Sequence, residues 1–459
     1  MSKCRILSLL LVAVSSLGIF AGTSFVVAGS APSYSLKSAR VPGTVDRVVS
    51  MLEVSGTMKS PGKDKTEQSK LGVNAAIAYD ERTLDAPPEE SVAPLRSVRY
   101  YDRAEAKIDV ADGKFTPVLR PGRSLMAVEI DRSKITLFSP QGRLTREELD
   151  LIDLPANSLL IDRFLPSRPV AQGDTWKHDD SLVVAAFGLD RTAKQTLAST
   201  LTKIDDDAAL IDMTGRIEGA VNGVSTRIEV KAKYRFDRKT RRIDWFGLLV
   251  HEDRGVGHVG PGVDVTARLR MQMVPNQSSE RLSDEALRGL ALKPNDEATQ
   301  LVYEPELGGW RFQYDRRWFS TGSDRQLAFL RLIEQGDFIA QCNVAVLAPV
   351  APGKQATLEQ FQQDIKEALG KDFGEFVSAS QKANEQNYRV LNVVARGTVS
   401  SLPIEWHYYL VAAEHGRQIA FTFTVEGPLA ERLDDMDRRM VASLRFDPPK
   451  VAAGEKTTR

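Results

Sequence analysis

The stretch TRIEVKAKYRF, residues 226–236, decides the fold of the first part of this chain. Charged residues take every second position, and the positions between them belong to Thr226, Ile228, Val230, Ala232, Tyr234 and Phe236. This strict alternation predicts a β-strand with one face on a core and the other face in water. The polar segment DRKTRR follows, and apolar residues resume at 243–250, so the two runs predict an antiparallel hairpin.

The same alternation continues on both sides of this hairpin. Residues 209–221 form two shorter runs before it, and Asn222-Gly223 then favours the positive φ angles of a tight turn. Residues 263–273 alternate again after it. We therefore predict an antiparallel β domain over residues 45–275, built either as a strongly curved open sheet or as a sandwich.

Helix signals are few before the last third of the chain. Thr145 and Glu148 form a capping box, in which a hydroxyl and a carboxylate each satisfy free backbone N–H groups. The segment 276–300 is polar at both ends, which predicts a linker with a short helix near 283–292.

The last third mixes strand and helix patterns. Thr357 and Gln360 form a second capping box, which opens a helix. Pro428 suits the first turn of a final helix, where its missing N–H is harmless. An apolar stripe at helical spacing follows it: Leu429, Leu433, Met436, Met440 and Leu444. Three strands are predicted between these helices, at 388–395, 405–413 and 418–425.

The N-terminus has the pattern of a secretory signal peptide. Two basic residues precede an apolar run at 6–20, and small residues surround Ala28. We predict that residues 1–28 are removed on export, that 29–44 form a flexible leader, and that the mature protein is secreted or periplasmic. An uncleaved membrane anchor is the alternative, but serine and glycine interrupt the run, which is short for a span. No later segment is apolar enough to cross a bilayer.

Composition argues against a nucleic-acid partner. Acidic and basic residues balance at 61 each, and the formal net charge is zero. A nucleic-acid-binding domain usually carries a basic face or stripe. The hydrophobic fraction of 42% is typical of a globular protein with real cores.

Cysteine usage excludes a disulfide framework in the exported chain. The two cysteines are Cys4 and Cys342, and Cys4 leaves with the signal peptide. The mature chain then holds a single thiol, which forms no internal disulfide and no zinc cluster. Cys342 alternates in phase with apolar neighbours, which predicts a buried and inert thiol.

The segment Gly255-Val-Gly257-His-Val-Gly260 matches the glycine pattern of dinucleotide-binding loops. That chemistry needs a helix directly after the glycines, because the helix N-terminus holds the pyrophosphate. Here Pro261-Gly262 and an alternating run follow instead. We interpret the segment as a hairpin loop and expect no cofactor.

Two polar clusters contain residues that can bind a metal ion. They are His251, Glu252, Asp253 and His258 in one hairpin, and His178, Asp179 and Asp180 upstream. The first lacks the HExxH spacing that sets two histidines on one helix face. The second is typical of a solvated polar loop, and we expect no metal site. A GxSxG nucleophile elbow and a Walker sequence are also missing, so we predict no catalytic residue.

The segment GGWRFQYDRRWF, residues 308–319, allows two interpretations. Aromatic rings beside arginines can form a surface on which bases stack. The phase favours a core strand, because Trp310, Phe312 and Tyr314 share one face and Arg311 lies on the other. We therefore expect buried rings, with a turn around Asp315 and a second domain that begins near this strand.

Around this strand the chain resembles the PsbP-like and DcrB-like extracytoplasmic domains. The resemblance starts with Phe312-x-Tyr314-x-x-x-Trp318 and covers residues 300–447. It continues through the 340–344 hairpin strand, the capped helix, Trp406-His-Tyr-Tyr409 and the closing Ser-Leu-Arg-Phe446. Asp315 stands where the family often has proline. The resemblance implies an α/β sandwich with an antiparallel sheet and an accessory or binding role, and it transfers no site residue.

Together these patterns predict an α+β protein of two domains. The antiparallel β domain at 45–275, which resembles no family, precedes the PsbP-like α/β domain at 301–447, and a disordered tail follows at 448–459. We expect an exported, non-enzymatic accessory or binding protein whose partner is an unknown protein or an apolar small molecule. One alternative is a carrier that holds an apolar ligand in a cavity of the β domain. The other is a hydrolase with dispersed catalytic residues, because catalytic triads are recognised by geometry rather than spacing.

Overall fold

The computed structural model describes residues 32–61, 66–88, 91, 93–111, 113–305, 308–323, 326–351 and 354–447. Strands hold 54% of these residues and helices 15%. The predicted α+β class is therefore wrong, and the fold is mostly antiparallel β. Period-two runs dominate the last third as well, where the helices are short. The predicted signal peptide at 1–28, Cys4 and the predicted tail at 448–459 lie outside the described residues.

Thirteen strands of the first region form one antiparallel sheet, in the order β7-β6-β4-β3-β2-β15-β14-β13-β12-β11-β9, with β5 beside β4 and β10 beside β12. The first strands are β1 (Ser33–Tyr34), β2 (Val45–Ser60), β3 (Glu67–Asp85), β4 (Leu95–Val110), β5 (Gly113–Phe115), β6 (Leu125–Asp131) and β7 (Lys134–Phe138). Helix α1 (Arg146–Ile152) and a 3-10 helix (Ile161–Phe164) follow, then β8 (Val170–Ala171), β9 (Thr175–Lys177) and α2 (Asp180–Phe187). The sheet continues with β10 (Arg191–Gln195), β11 (Ala198–Ile204), β12 (Ala208–Val221), β13 (Val224–Asp237), β14 (Arg242–Arg254) and β15 (Gly262–Val274). Strand β1 pairs with β8 outside this sheet.

The second region contains a three-stranded and a seven-stranded antiparallel sheet. It begins with a 3-10 helix (Glu280–Leu282), α3 (Asp284–Leu287) and α4 (Asp296–Thr299). Its strands are β16 (Leu301–Tyr303), β17 (Trp310–Tyr314), β18 (Trp318–Ser323), β19 (Leu327–Glu334), β20 (Asp337–Leu347), β21 (Phe373–Ala383), β22 (Arg389–Val399), β23 (Leu402–Ala412), β24 (Gln418–Glu426) and β25 (Arg445–Phe446). Helix α5 (Leu358–Leu369) and a 3-10 helix (Gly370–Asp372) follow β20, and a 3-10 helix (Gly427–Leu433) and α6 (Met436–Ala442) follow β24. The sheet orders are β16-β17-β25 and β18-β19-β20-β24-β23-β22-β21.

Strand β13 has the two faces that its sequence predicts. Its alternate residues from Thr226 to Phe236 are buried, and most of the charged residues between them are exposed. Asn222 and Gly223 join it to β12 with φ angles of 49° and 78°, which is the left-handed geometry of a tight hairpin turn. Apolar alternation therefore places one face of the sheet on the core.

The large sheet curves around the segment 144–189. Ile135 of β7 and Ile228 of β13 line the same cavity, although seven strand spacings separate them in the sheet order. In a flat sheet that separation is roughly 34 Å, since neighbouring strands lie about 4.8 Å apart. The two strands can meet at one cavity only because the sheet bends. The space inside is filled by buried residues of the helical segment, among them Leu149 and Phe164.

Three arginines and three acids form a buried ion-pair network at one end of the inner face. They are Arg40, Arg99, Arg242, Asp46, Glu81 and Asp162. Arg99 Nε lies 2.7 Å from Glu81 Oε1, and Arg242 Nη2 lies 2.5 Å from Asp46 Oδ2. Burial alone would raise the pKa of Glu81, but Arg99 and Arg40 outweigh it and hold that pKa below its usual value.

This network also fastens the described part of the segment 29–44, which its composition predicts to be flexible. Arg40 Nε donates to Asp162 Oδ2 at 3.0 Å, and Ser38 Oγ donates to the same oxygen at 2.9 Å. Leu36 lies in the hydrophobic core. The segment is therefore packed against both the sheet and the 3-10 helix Ile161–Phe164.

In the second region the aromatic strand is buried, as the phase predicts. Trp310, Phe312 and Tyr314 of β17 are 1%, 0% and 3% exposed, which excludes the stacking surface. Trp318 is buried and packs edge-on against Phe423, with ring centroids 5.8 Å apart. These rings belong to the hydrophobic core that continues into the first region.

The final helix is not the continuous element that the apolar stripe predicts. The chain forms a 3-10 helix at Gly427–Leu433, and α6 then starts at Met436. Asp434 and Asp435 between them have φ angles of 45° and 55°, in the left-handed region that ends a right-handed helix. The stripe still faces the core, because Leu433, Met436, Met440 and Leu444 are all buried. The periodicity thus identified the buried side and missed the break.

Candidate functional site

A cavity of about 420 Å³ lies between the inner face of the large sheet and the helical segment. We call it the aliphatic cavity. The sheet contributes Leu52, Ile135, Ile228, Leu248, Val250, Ala267 and Leu269. The helical segment contributes Leu154, Val184, Phe187 and Leu189. The walls are therefore mainly branched aliphatic side chains from two layers of the fold.

Cross-strand register places the sheet residues of the aliphatic cavity side by side. Ala267 of β15 stands opposite Val250 of β14 and opposite Val54 of β2. Leu248 stands opposite Leu269 in the same way. Because residues two apart on a strand share a face, all of these side chains point towards the helical segment. Ala267 is the smallest of them and leaves the most room.

Helix α2 forms the opposite wall. Its residues Ala185 and Ala186 are buried, Val184 and Phe187 are half-buried, and all four line the cavity. Gly188 ends the helix with a φ of 64°, a left-handed conformation that glycine adopts without strain. The reversal brings Leu189 back to the same wall.

Among the described residues of the lining, the charged ones are Asp153 and Glu252. Glu252 accepts a hydrogen bond from Thr226 Oγ1 at 3.0 Å and lies 3.6 Å from Arg254 Nε. Its carboxylate is therefore already engaged by the strands that carry it. The lining side chains are mainly apolar, so an apolar molecule would find complementary surface in this cavity.

The structure does not gather the hairpin residues that the sequence suggests as metal ligands. His251 lies 3.7 Å from Asp264, Asp253 lies 2.5 Å from Lys59, and the ring of His258 stacks on Phe338. Within the described ranges, no three His, Cys, Asp or Glu side chains converge as metal ligands. The glycine-rich segment 255–260 connects β14 to β15 as a hairpin loop, as predicted.

His178 is buried, so its interpretation as part of a solvated loop is wrong. It is 6% exposed, and its Nε2 lies 2.8 Å from Ser199 Oγ. Burial lowers the pKa of His178 to about 4, which keeps the imidazole neutral at pH 7. The acidic neighbours obscured a usable signal, because His178 is in phase with the half-buried Trp176 of β9.

A second histidine, His407 of β23, lies between two carboxylates. Its Nδ1 is 2.6 Å from Asp437 Oδ2, and its Nε2 is 2.8 Å from Glu405 Oε1. Both nitrogens must carry protons to donate to both carboxylates, so the ring is an imidazolium. Burial lowers the pKa of His407, but the two carboxylates outweigh it and raise that pKa above its usual value. The cluster connects β23 to α6.

Cys342 lies in the core of β20, as its phase predicts. Burial raises the pKa of its thiol, so the side chain behaves as a small apolar group.

The sequence did not reveal the aliphatic cavity, because its residues come from five strands and the helical segment that are distant along the chain.

Comparison with known proteins assigns no family. No family model matches the sequence, and no curated protein matches it. Among solved structures, the cyanobacterial PsbP from Synechocystis sp. PCC 6803 matches at 14% identity and a TM-score of 0.26, over 32% of this chain and 92% of that one. Lipovitellin matches at 6% identity and a TM-score of 0.26, over 53% of this chain and 26% of that one. An outer membrane channel from Pseudomonas putida F1 matches at 8% identity and a TM-score of 0.12, over 85% and 97%.

These similarities are weak, and the resemblance of residues 300–447 to PsbP-like domains is therefore only partial. The fold and the cavity have to be interpreted from this chain itself. Across the part of the chain that the structure describes, no helix has the length and apolar character needed to cross a membrane.

Proposed function

We propose that this protein is a non-enzymatic binding protein that acts outside the cytoplasm and carries an apolar ligand in the aliphatic cavity. The observation that supports this proposal is a cavity of about 420 Å³ with aliphatic walls on both layers. Its volume lies within the range of roughly 300–1,000 Å³ that is usual for small-molecule sites. The location rests on the signal-peptide pattern of residues 1–28.

The chemistry of the walls favours a neutral hydrocarbon ligand. Each CH₂ group transferred from water to such walls contributes about 0.8 kcal/mol. An anionic head inside the cavity would face the carboxylates of Asp153 and Glu252, which are the charged groups among the described lining residues. We therefore expect an unbranched alkyl chain or a small apolar ring system.

Probe binding tests this proposal. Purified mature protein should bind the neutral fluorophore 1-N-phenylnaphthylamine saturably, and dodecane should displace it. Ala267→Phe places a ring inside the cavity and should weaken probe binding at least tenfold. Thr266→Phe is the matched control, because Thr266 is the preceding residue of β15 and is exposed on the outer face. Circular dichroism and thermal unfolding verify that both variants fold.

Two results would contradict the carrier proposal. One is probe binding that does not saturate in the wild-type protein. The other is an equal loss of binding in Ala267→Phe and Thr266→Phe, which would place the probe elsewhere.

Native mass spectrometry of freshly purified protein adds an independent readout, since a retained ligand appears as a discrete added mass. A screen against ester, phosphoester and peptide substrates should give no turnover.

A further inference from the structure

A second cavity, of about 480 Å³, lies at the other end of α2. Ser181 and Leu182 from the first turn of α2 line it, whereas Val184 and Phe187 line the aliphatic cavity. Four basic residues are among those that line it: Arg132, Arg163, Arg168 and Lys177. We call it the cationic cavity.

The basic groups of the cationic cavity differ from the arginines of the buried ion-pair network in their described partners. Arg163 Nη2 donates to the carbonyl oxygen of Pro87 at 2.9 Å, a neutral partner that does not offset its charge. Among the described residues, no carboxylate lies within ion-pair distance of any of the four. Asp179 is the acidic residue among the described residues of the lining. The arginines of the buried network, by contrast, each meet a carboxylate.

The start of α2 adds unpaired N–H groups to the same space. Asp179 is the N-cap residue, and its side chain makes no capping hydrogen bond. The first backbone N–H groups of a helix have no partner within the helix, and the helix dipole makes that end favourable for an anion. Ser181 and Leu182 of this first turn line the cavity together with the four basic residues, and the carboxylate of Asp179 opposes an anion there.

One side of the cationic cavity is apolar. Leu95, Ile130 and Leu165 line it together with Trp176. The indole Nε1 of Trp176 donates to the carbonyl oxygen of Phe164 at 2.9 Å, which fixes the orientation of the ring. His178 also lines the cavity, packs edge-on against Phe164 and is neutral at pH 7, so the positive charge of the site comes from the arginines and the lysine.

We propose that the cationic cavity binds an organic anion, with a phosphate or carboxylate head at the basic side and a short apolar body against Trp176 and Leu165. The site is separate from the aliphatic cavity and is expected whether or not that cavity carries a ligand. Charge attracts the head, and removal of the apolar body from water supplies the additional affinity.

Calorimetry with three probes tests this proposal: octyl phosphate, inorganic phosphate and octanol. Octyl phosphate should bind at least tenfold more tightly than either of the others. The double variant Arg168→Glu/Lys177→Glu reverses two exposed charges and should weaken octyl phosphate binding at least tenfold. Arg268→Glu/Arg270→Glu is the matched control, because both residues are exposed on the outer face of β15. A rise in salt should weaken the interaction, since exposed charges are screened.

Failure of this proposal is distinguishable from failure of the carrier proposal. Ala267→Phe should leave octyl phosphate binding unchanged, and Arg168→Glu/Lys177→Glu should leave 1-N-phenylnaphthylamine binding unchanged. Loss of octyl phosphate binding in Ala267→Phe would place that probe in the aliphatic cavity and overturn the proposal. Equal affinity for octanol and octyl phosphate would also overturn the proposal, because it would show that the charge of the head group does not contribute to binding. Octanoate in place of octyl phosphate distinguishes a carboxylate ligand from a phosphate ligand.

Discussion

In both large sheets of this chain, buried and exposed residues alternate along the strands. The two sheets differ in the side chains that cover their inner faces. The seven-stranded sheet packs aromatic rings together, with Trp318, Phe421 and Phe423 fully buried. The inner face of the thirteen-stranded sheet leaves a cavity of about 420 Å³ that is lined mainly by aliphatic side chains. The same face also holds buried ion pairs. Alternation therefore decides that a strand forms, and side-chain size and charge decide whether its inner face is filled.

The largest expected loss of stability comes from disrupting the buried ion-pair network of the large sheet. Glu81→Ala leaves Arg99 and Arg40 buried without one of their acidic partners, and we expect a loss of about 3–5 kcal/mol in the free energy of unfolding. Glu105→Ala on the exposed face of β4 removes a pair with Arg103 and should cost less than about 1 kcal/mol. Urea unfolding measures both. Similar losses would mean that the inner network is no more desolvated than a surface pair.

A comparison of two truncations addresses the filled and unfilled cores directly. Phe423→Ala removes a ring that packs against Trp318 and Tyr409, so we expect a loss of about 4 kcal/mol. Leu248→Ala removes a side chain that borders an existing void and has fewer packing partners to lose, and we expect about 2 kcal/mol. Chemical unfolding of both variants measures the difference. A loss in Leu248→Ala as large as that in Phe423→Ala would show that the aliphatic cavity is closed in solution.

His178 and His407 should change the stability of the fold in opposite directions as the pH falls. His178 has a pKa of about 4 when folded and about 6.5 when unfolded, so the unfolded chain takes up its proton first as the pH falls. The protein should lose about 2 kcal/mol from this group between pH 7 and pH 5. In His178→Asn that loss should be absent. Unfolding of both proteins at the two pH values measures it, and an unchanged pH dependence in the variant would contradict the buried, neutral assignment.

His407 should stabilise the fold at low pH instead. Its folded pKa is raised, so its contribution is complete below about 6.5 and is lost as the pH rises through the raised value. Burial raises the pKa of Asp437, but the hydrogen bonds from His407 and Tyr409 outweigh it and lower that pKa, so its contribution is lost only in strong acid. His407→Gln should therefore be most destabilising near pH 5 and less so at pH 9. Equal destabilisation at both values would argue against the imidazolium.

The smallest expected change in stability comes from adding an aromatic ring to the aliphatic cavity. The comparison is the same addition to a filled core. Ala395→Phe in β22 adds a ring where Ala395 is fully buried between Phe376 and Trp406, and should cost about 1–3 kcal/mol. Ala267→Phe adds the same ring to the aliphatic cavity, and we expect a change of less than about 1 kcal/mol. Thermal unfolding of the two variants measures the contrast. A large loss in Ala267→Phe would mean that the cavity cannot accept a ring.

Much of the local structure was predictable because its causes are local. The alternation of 226–236 predicted β13, the phase of Trp310 and Phe312 predicted their burial, and Asn222-Gly223 predicted the turn. Both capping boxes, at Thr145 and Thr357, form as expected. In each case the cause lies within a few residues, and the sequence shows all of it.

The remaining features depend on contacts between distant residues. The α+β prediction was wrong because the helical periodicity of the last third overstates its helix content. Asp434 and Asp435 interrupt the final helix there. The burial of Arg40 depends on Asp162, and the burial of His178 depends on Ser199. No short segment of sequence contains both members of such a pair. The aliphatic cavity has the same origin, since Leu52 and Leu269 become neighbours only after β2 and β15 pair.

The pairing of β2 with β15 also has a kinetic consequence. Val48 lies opposite Met273, so the ladder at the centre of the sheet joins two segments that are more than two hundred residues apart. Contacts with such long sequence separation slow folding, because the entropy of closing the loop is lost before the contacts form. During synthesis, β2 has its edge towards β15 open until nearly all of the first region has emerged. An open strand edge can pair with another chain, so the early folding intermediates should be the form most prone to aggregate.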